Sequence, residues 1–166
     1  MFFGFGSMPV REPERVLSLL GEVSTALGVR ALVGAGWSSL ASRDATGRVF
    51  VAPAFDHDAI LPRCRAAVHH GGAGTTHAAL RAGLPAVVCH FLVDQPYWAR
   101  RLMALGVGAR VPYRRLTADR LTHVLRPLLD PAVKARAAAL GSALHAEDGA
   151  ATALGHMATL LGSGPW

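Results

Sequence analysis

Short apolar runs alternate along this chain with segments patterned for helix, and that alternation constrains the fold more than any other feature. The strand-like runs are "FFGF", "VRALVGAG", "RVFVA", "AAVHH", "PAVVC" and "GARVP". Between them, "PERVLSLLGEVSTAL" carries Val16, Leu19, Leu20, Val23 and Leu27 at helical spacing, and Gly28 closes it. "DHDAILPRC", "TTHAALRAG" and "DQPYWARRLMALG" are helical or helix-initiating, and Thr117 is placed to cap "ADRLTHVLRPLLD". Two further helical stretches, "PAVKARAAALGSAL" and "GAATALGHMATLL", finish the chain. Strands that are apolar throughout, rather than alternately, need cover on both faces. The expected fold is therefore α/β, a doubly wound parallel sheet of the Rossmann-like kind. Such sheets bind ligands at the carboxyl ends of their strands, near the switch in strand order.

The 166 residues suit one domain spanning 1–166, with 51% hydrophobic and 17% charged residues, an ordinary globular balance. No apolar run approaches the roughly 18 residues of a membrane span. The start, "MFFGFGSMPV", has neither the basic opening nor the cleavage site of a signal peptide. It enters a strand at once, which suggests that a segment upstream has been removed. The net charge is +6, but the arginines are scattered and not interleaved with aromatics. That argues against nucleic acid as a partner. It leaves a solvated or domain-facing basic surface, with contact to an anionic substrate or a peripheral membrane surface still open. Cys64 and Cys89 have no metal or disulfide spacing and read as buried free thiols of a cytoplasmic protein.

Two glycine turns, "GFGSMP" and "HHGGAGTT", each follow a strand and precede a helix. The first amides of a helix lack internal partners and the macrodipole adds partial positive charge, so such a junction is a ready anion site. Gly71, Gly72 and Gly74 are expected to let the anion approach the backbone, with Ala73 between them. Thr75 and Thr76 can cap the helix or offer a hydroxyl, His70 can donate a hydrogen bond, and Ser7 can do so from the first turn. Neither turn completes the dinucleotide fingerprint, because Pro9 and His77 stand where its third glycine belongs. The following strand ends without an acidic residue for a ribose, and "GAGTT" lacks the lysine of a P-loop. His69 and His70 are neighbours on a strand and point to opposite faces, which speaks against a shared metal ion.

Taken together, "HHGGAGTTHAALRAGLPAVV" and "FLVDQPYWARRLMALGVGAR" resemble the donor-binding half of family 1 glycosyltransferases of the GT-B fold. The likeness is greatest to the bacterial natural-product and sterol-type branch. "GFGSMP", "GWSSL" and "AEDGAATAL" fit the same pattern. The resemblance implies that His70, the amides of Gly72, Ala73 and Gly74, and Thr75 hold the diphosphate of a UDP- or TDP-sugar, with Ser7 facing it. It implies that Asp94 and Gln95 read the hydroxyls of the sugar, a carboxylate and an amide being suited to adjacent hydroxyls. Capping of the next helix by Asp94 is the plainer role and is compatible with sugar binding. Trp37 and Phe55 are the aromatic candidates for the nucleobase, on the side where plant members carry a stacking tryptophan and this chain has Val51.

Two departures accompany the resemblance. Ala78 stands where plant members carry a ribose-clamping glutamate, so a deoxyribose donor is as admissible as a ribose one. The resemblance reaches only the C-terminal half of a GT-B enzyme, so the acceptor-binding N-terminal half, with its general base, is expected to lie outside this sequence, and no catalytic residue is expected in this half. The complete enzyme is expected to transfer a hexose with inversion and without a metal, to a hydroxyl of a lipophilic acceptor. The chain then pairs with an N-terminal domain or a separate subunit. The competing reading is a non-catalytic sugar-nucleotide-binding or interaction module.

Overall fold

The computed structural model describes residues 1–6, 8, 10, 12–34 and 47–162. Six strands form a wholly parallel sheet: β1 (Phe2–Gly4), β2 (Ala31–Gly34), β3 (Val49–Ala52), β4 (Ala67–His69), β5 (Ala86–His90) and β6 (Gly108–Pro112). Their spatial order is β3-β2-β1-β4-β5-β6. The chain winds outward from β1 in one direction, then returns to start again at β4 beside it. That reversal is the switch point of a doubly wound sheet, and it bears out the expected fold class.

The helices are α1 (Pro13–Leu27), α2 (His57–Ile60), α3 (Ala73–Arg81), α4 (Gln95–Ala104), α5 (Ala118–Leu128), α6 (Pro131–Ala146) and α7 (Gly149–Gly162). Local chemistry sets their ends. Pro13 supplies a pre-set φ at the start of α1, and Gly28, at φ 64, closes it with its N–H turned to the Ser24 and Thr25 carbonyls. The Thr117 hydroxyl accepts the Arg120 amide at 3.3 Å, the cap expected for α5. Asp130 caps α6 through the Ala132 amide. "DHDAILPRC" makes less helix than its pattern suggests: one α-turn and a 3-10 turn over Leu61–Arg63. Pro62 has no amide to donate, so the α-pattern does not extend.

Successive residues of each central strand serve opposite faces. Phe3, Val33, Val68, Val87 and Cys89 pack beneath α1 and α5, against Leu20, Val23, Leu121 and Leu125. Phe2, Ala67, Ala86 and Val88 face the other layer, with Ala79 of α3, Ala99 and Leu102 of α4, and Ala137 of α6. Both faces are dry, which is why these strands read as continuous apolar runs. Leu20, Val33, Val68, Leu121 and Leu125 are fully buried, and truncating such a leucine to alanine costs about 2–5 kcal/mol. Cys64 and Cys89 are buried free thiols. Among the described residues no helix is long and apolar enough to cross a membrane.

Candidate functional site

The register of the sheet brings the two glycine turns together. Gly4 of β1 lies beside His69 of β4, so the chain segments leaving both strands open side by side at the switch point. His70 fills the space between them. A Cβ at Gly6 would stand 2.7 Å from His70 Cε1, and one at Gly72 would stand 2.4 Å from His70 Nε2. These two glycines therefore seat the imidazole itself. Gly71, at φ 95, is wedged against Val88 and Gln95. Of the three glycines expected to admit an anion, only Gly74 has open space where its Cβ would be. The others are consumed by packing that shapes the turn.

His70 is 9% exposed, and its Nδ1 is buried without a partner. Burial pulls its pKa below the ordinary imidazole value, against the Gly4 backbone and the Asp94 carboxylate, which favour the charged form. Beside it, α3 begins with Gly72 in an extended conformation and no side-chain cap. The Thr76 hydroxyl turns back to the Gly72 carbonyl at 2.9 Å, so it does not compete for the first-turn amides. Ala73 and Gly74 are exposed and Thr75 half-buried. The helix thus presents uncapped amides and its positive dipole end next to a neutral imidazole that can donate one hydrogen bond. That arrangement suits an anion with several oxygens.

On one side of this helix start, Phe55 and Thr75 share a cavity of about 120 Å³ with Gly4, Gly6, Gly34 and His57. Phe55 packs edge-on against Phe2, with centroids 6.1 Å apart, and lies 3.6 Å from where a Gly34 Cβ would be. Phe55 is thus partly core and partly cavity wall. Trp37, the other nucleobase candidate, and Ser7 lie outside the described residues.

On the opposite side, Asp94 and Gln95 start α4 but behave differently from each other. The Asp94 carboxylate caps no amide. It accepts the Trp98 indole N–H at 3.0 Å, and Trp98 in turn meets His77 of α3 edge-on at 5.3 Å. Asp94 is exposed beyond that bond. Gln95 is 5% exposed, and its Oε1 accepts the Phe91 and Leu92 amides at 2.7 and 3.2 Å. Its Nε2 rests 3.6 Å from Met8 Sδ. The amide group therefore braces the loop after β5, and only its N–H₂ is left to reach outward. A cavity of about 700 Å³ opens beyond, lined by Met8, His90, Phe91, Pro96, Tyr113 and Arg114. Among the described residues no three His, Cys, Asp or Glu side chains gather at metal-binding range.

The sequence reading missed two residues here. Trp98 could have been found from its spacing, one helical turn after Asp94. His69 is fully buried at the end of β4, where its Nδ1 accepts the Gly71 amide at 3.0 Å. Burial pulls its pKa to about 3, with the His70 charge adding to the effect. Its only signal was the final, inward-facing position on a buried strand.

Three comparisons bear on this site. Residues 45–154 match the family model described as erythromycin biosynthesis protein CIII-like, C-terminal domain. A sterol 3-beta-glucosyltransferase of Arabidopsis thaliana is 37% identical over 156 residues, covering 93% of this chain and 24% of the relative. An uncharacterized protein of Mycobacterium bovis is 38% identical over 156 residues, covering 92% of this chain and 36% of its own length. The glycotransferase of kitacinnamycin superposes with a TM-score of 0.76 at 28% identity, over 87% of this chain and 38% of that one. The calicheamicin glycosyltransferase CalG4 shares the fold with a TM-score of 0.77 at 21% identity, over 97% of this chain and 43% of that one. The chain thus spans well under half the length of these relatives. With two glycine turns meeting at the switch point of a parallel six-stranded sheet, it belongs to the erythromycin biosynthesis CIII-like C-terminal domain family, the C-terminal domain of family 1 UDP-glycosyltransferases built on the GT-B fold.

Proposed function

We propose that this chain is the donor-binding half of a glycosyltransferase that moves a hexose from a UDP- or TDP-sugar to a hydroxyl of a lipophilic acceptor, natural-product or sterol-like. The observation that carries the reading is the uncapped start of α3 beside His70, set between two glycine turns at the switch point. In this reading the diphosphate sits against the Gly72–Thr75 amides, with His70 donating to an oxygen and Ser7 facing it. The nucleobase lies toward Phe55, with Trp37 as the second aromatic. The sugar lies toward Asp94, whose carboxylate is held by Trp98 with its other oxygen free to accept hydroxyls, and toward the Gln95 amide.

The mechanism follows from where charge develops. As the glycosidic bond breaks, negative charge grows on the β-phosphate, and preorganised donors lower that barrier. A helix start contributes roughly 0.3–2 kcal/mol and each charge-assisted hydrogen bond roughly 1.5–3 kcal/mol, before ordering costs. Donors of that strength at the leaving group support a reaction without a divalent cation. Displacement inverts the anomeric carbon, and the base that deprotonates the acceptor comes from the other half of the enzyme. Alone, the chain binds donor and transfers little, because closure of the two halves excludes water. A cytoplasmic setting fits the two buried free thiols.

The solved glycosyltransferase VinC in complex with DTDP, 24% identical over 98% of this chain with a TM-score of 0.72, supports a nucleoside diphosphate as the ligand class. Ala78, partly buried on α3, offers no carboxylate to a ribose, so TDP is as acceptable as UDP. The test is calorimetric titration with UDP, TDP and GDP in EDTA, beside His70→Ala. The expected dissociation constant for UDP or TDP is about 10 μM to 1 mM, or roughly −4 to −7 kcal/mol, with loss in the variant. A folded chain that binds none of them refutes the donor-site reading.

A further inference from the structure

The buried histidine beneath the anion site has one nitrogen in use and one idle. His69 ends β4 between Gly4 of β1 and Val88 of β5 and is fully buried. Its Nδ1 accepts the Gly71 amide two residues on, at 3.0 Å, while its Nε2 has no partner at all. An unpartnered polar atom in a dry sheet is costly, and a leucine would fill the space without it. The contact that only the histidine supplies is the one to Gly71. It has the geometry of an Asx turn, in which an Asn or Asp side chain accepts the amide two residues later. Here an imidazole does that job at the last residue of a strand.

Gly71 is the residue on which the turn pivots. Its φ of 95 is left-handed, and Val88 and Gln95 close in on the place of its missing Cβ. The amides of Gly72 to Thr75 follow directly, and their direction depends on how Gly71 is set. We infer that His69 is a positioning residue for the anion site, holding the Gly71 amide through Nδ1 and so aiming the first-turn amides of α3 at the ligand. The inference rests on the donor-site reading above. His69 touches no ligand itself. Its Nε2 carries the ring proton, because Nδ1 must stay free to accept. A proton added at Nδ1 would set donor against donor and release the turn.

The test has a structural arm and a binding arm. Nitrogen-15 NMR of the imidazoles in the whole chain is expected to show His69 as the Nε2–H tautomer, unchanged from about pH 5 to about pH 8. A Nδ1–H tautomer, or titration of His69 in that range, overturns the inference. For binding, UDP and uridine are titrated against the chain and against His69→Asn, His69→Gln and His69→Leu. Asparagine can close the same turn and is expected to keep UDP binding within about threefold, whereas glutamine and leucine lose at least about tenfold, with uridine changed by less than about twofold. Equal losses of UDP and uridine indicate a general packing role and overturn it, as does full UDP binding by His69→Gln. If the leucine variant does not fold, the asparagine–glutamine pair still decides. If the unaltered chain binds no UDP, the donor-site reading fails, and the tautomer together with the Gly71 amide shift in His69→Asn judges the turn separately.

Discussion

The turns that lead into α3 and α4 leave adjacent strands at the same end of the sheet, yet they treat their backbone amides in opposite ways. Before α3, the small residues Gly72, Ala73 and Gly74 leave the first-turn amides uncapped, and the buried His69 side chain takes only the Gly71 amide behind them. Before α4, Gln95 occupies the Phe91 and Leu92 amides, and Pro96 removes another donor. The two turns also differ in strain. Positive φ falls on glycine at Gly6 and Gly71, but on a valine, Val93 at φ 59, before α4. A helix start alone does not make an anion site. Neither helix has a side-chain cap; the difference lies in the loops before them, where Gln95 takes two amides ahead of α4 and, among the described residues, no side chain takes an amide of Gly72, Ala73 or Gly74 ahead of α3.

The largest expected effect that separates the turns is acid. Burial holds His69 at about 3 against 6.5 in the unfolded chain. Between those values the unfolded state binds the extra proton. Stability is therefore complete above pH 6.5 and falls as pH drops toward about 3, by up to about tenfold in the folding constant per pH unit. His70 and His90 are shifted in the same direction, also by burial, and add to the loss. The side chain that takes the amides of the turn before α4, that of Gln95, does not titrate. Amide exchange across this range should release Gly71 before Phe91. Simultaneous release, or no change in urea midpoint between about pH 6.5 and about pH 4, would break the distinction.

Next in size is Gln95→Leu. It removes the acceptor of two amides and should cost about 2 kcal/mol, read as a lower urea midpoint at unchanged slope. Because Gln95 serves the turn more than the anion, UDP affinity should stay within about threefold. A collapse of UDP binding without loss of stability would make Gln95 a ligand contact first. Val93→Gly tests the strain in the same turn from the other direction. A left-handed β-branched residue costs roughly 1–2 kcal/mol, and glycine gives back part of that through its own lost freedom, so a net gain of up to about 1 kcal/mol is expected. A lower midpoint would show that Val93 packs more usefully than its 82% exposure suggests.

Most of the fold was legible because its information is local and repeated. Continuous apolar strands, helical spacing between them, and the caps at Gly28 and Thr117 all sit within a few residues of what they determine. The place of the two glycine turns, each between a strand and a helix at the switch point, was legible too. Their division of labour was not. Whether a glycine makes room for a ligand or for a neighbouring ring depends on partners remote in sequence, as Gly6 and His70 show. The same holds for Gln95, whose identity suits a sugar and whose oxygen is spent on two amides. His69 was read only through its orientation away from His70, because burial and an i to i+2 contact leave no periodic trace. Asp94 reversed the plain expectation in turn: it starts a helix without capping it.

That last departure gives the smallest prediction. An aspartate at a helix start ordinarily accepts the amide two or three residues on. Asp94 forgoes this and accepts the Trp98 indole instead, at 3.0 Å, with Trp98 steadied by the His77 ring across the gap to α3. The exposed carboxylate is thereby held through one oxygen, and the other makes no hydrogen bond among the described residues. Trp98→Phe keeps an aromatic ring beside His77 but loses the indole N–H together with the five-membered ring, so the affinity for UDP should change little while the bond to Asp94 is lost. What should change is the added affinity of a UDP- or TDP-sugar over the bare diphosphate, by about two- to fivefold, the scale of one hydrogen bond that orders a side chain. Titrating the diphosphate and its sugar against both proteins isolates that increment. Loss of affinity for both ligands together would place Trp98 in the packing between α3 and α4, and would leave Asp94 without the support that its proposed role needs.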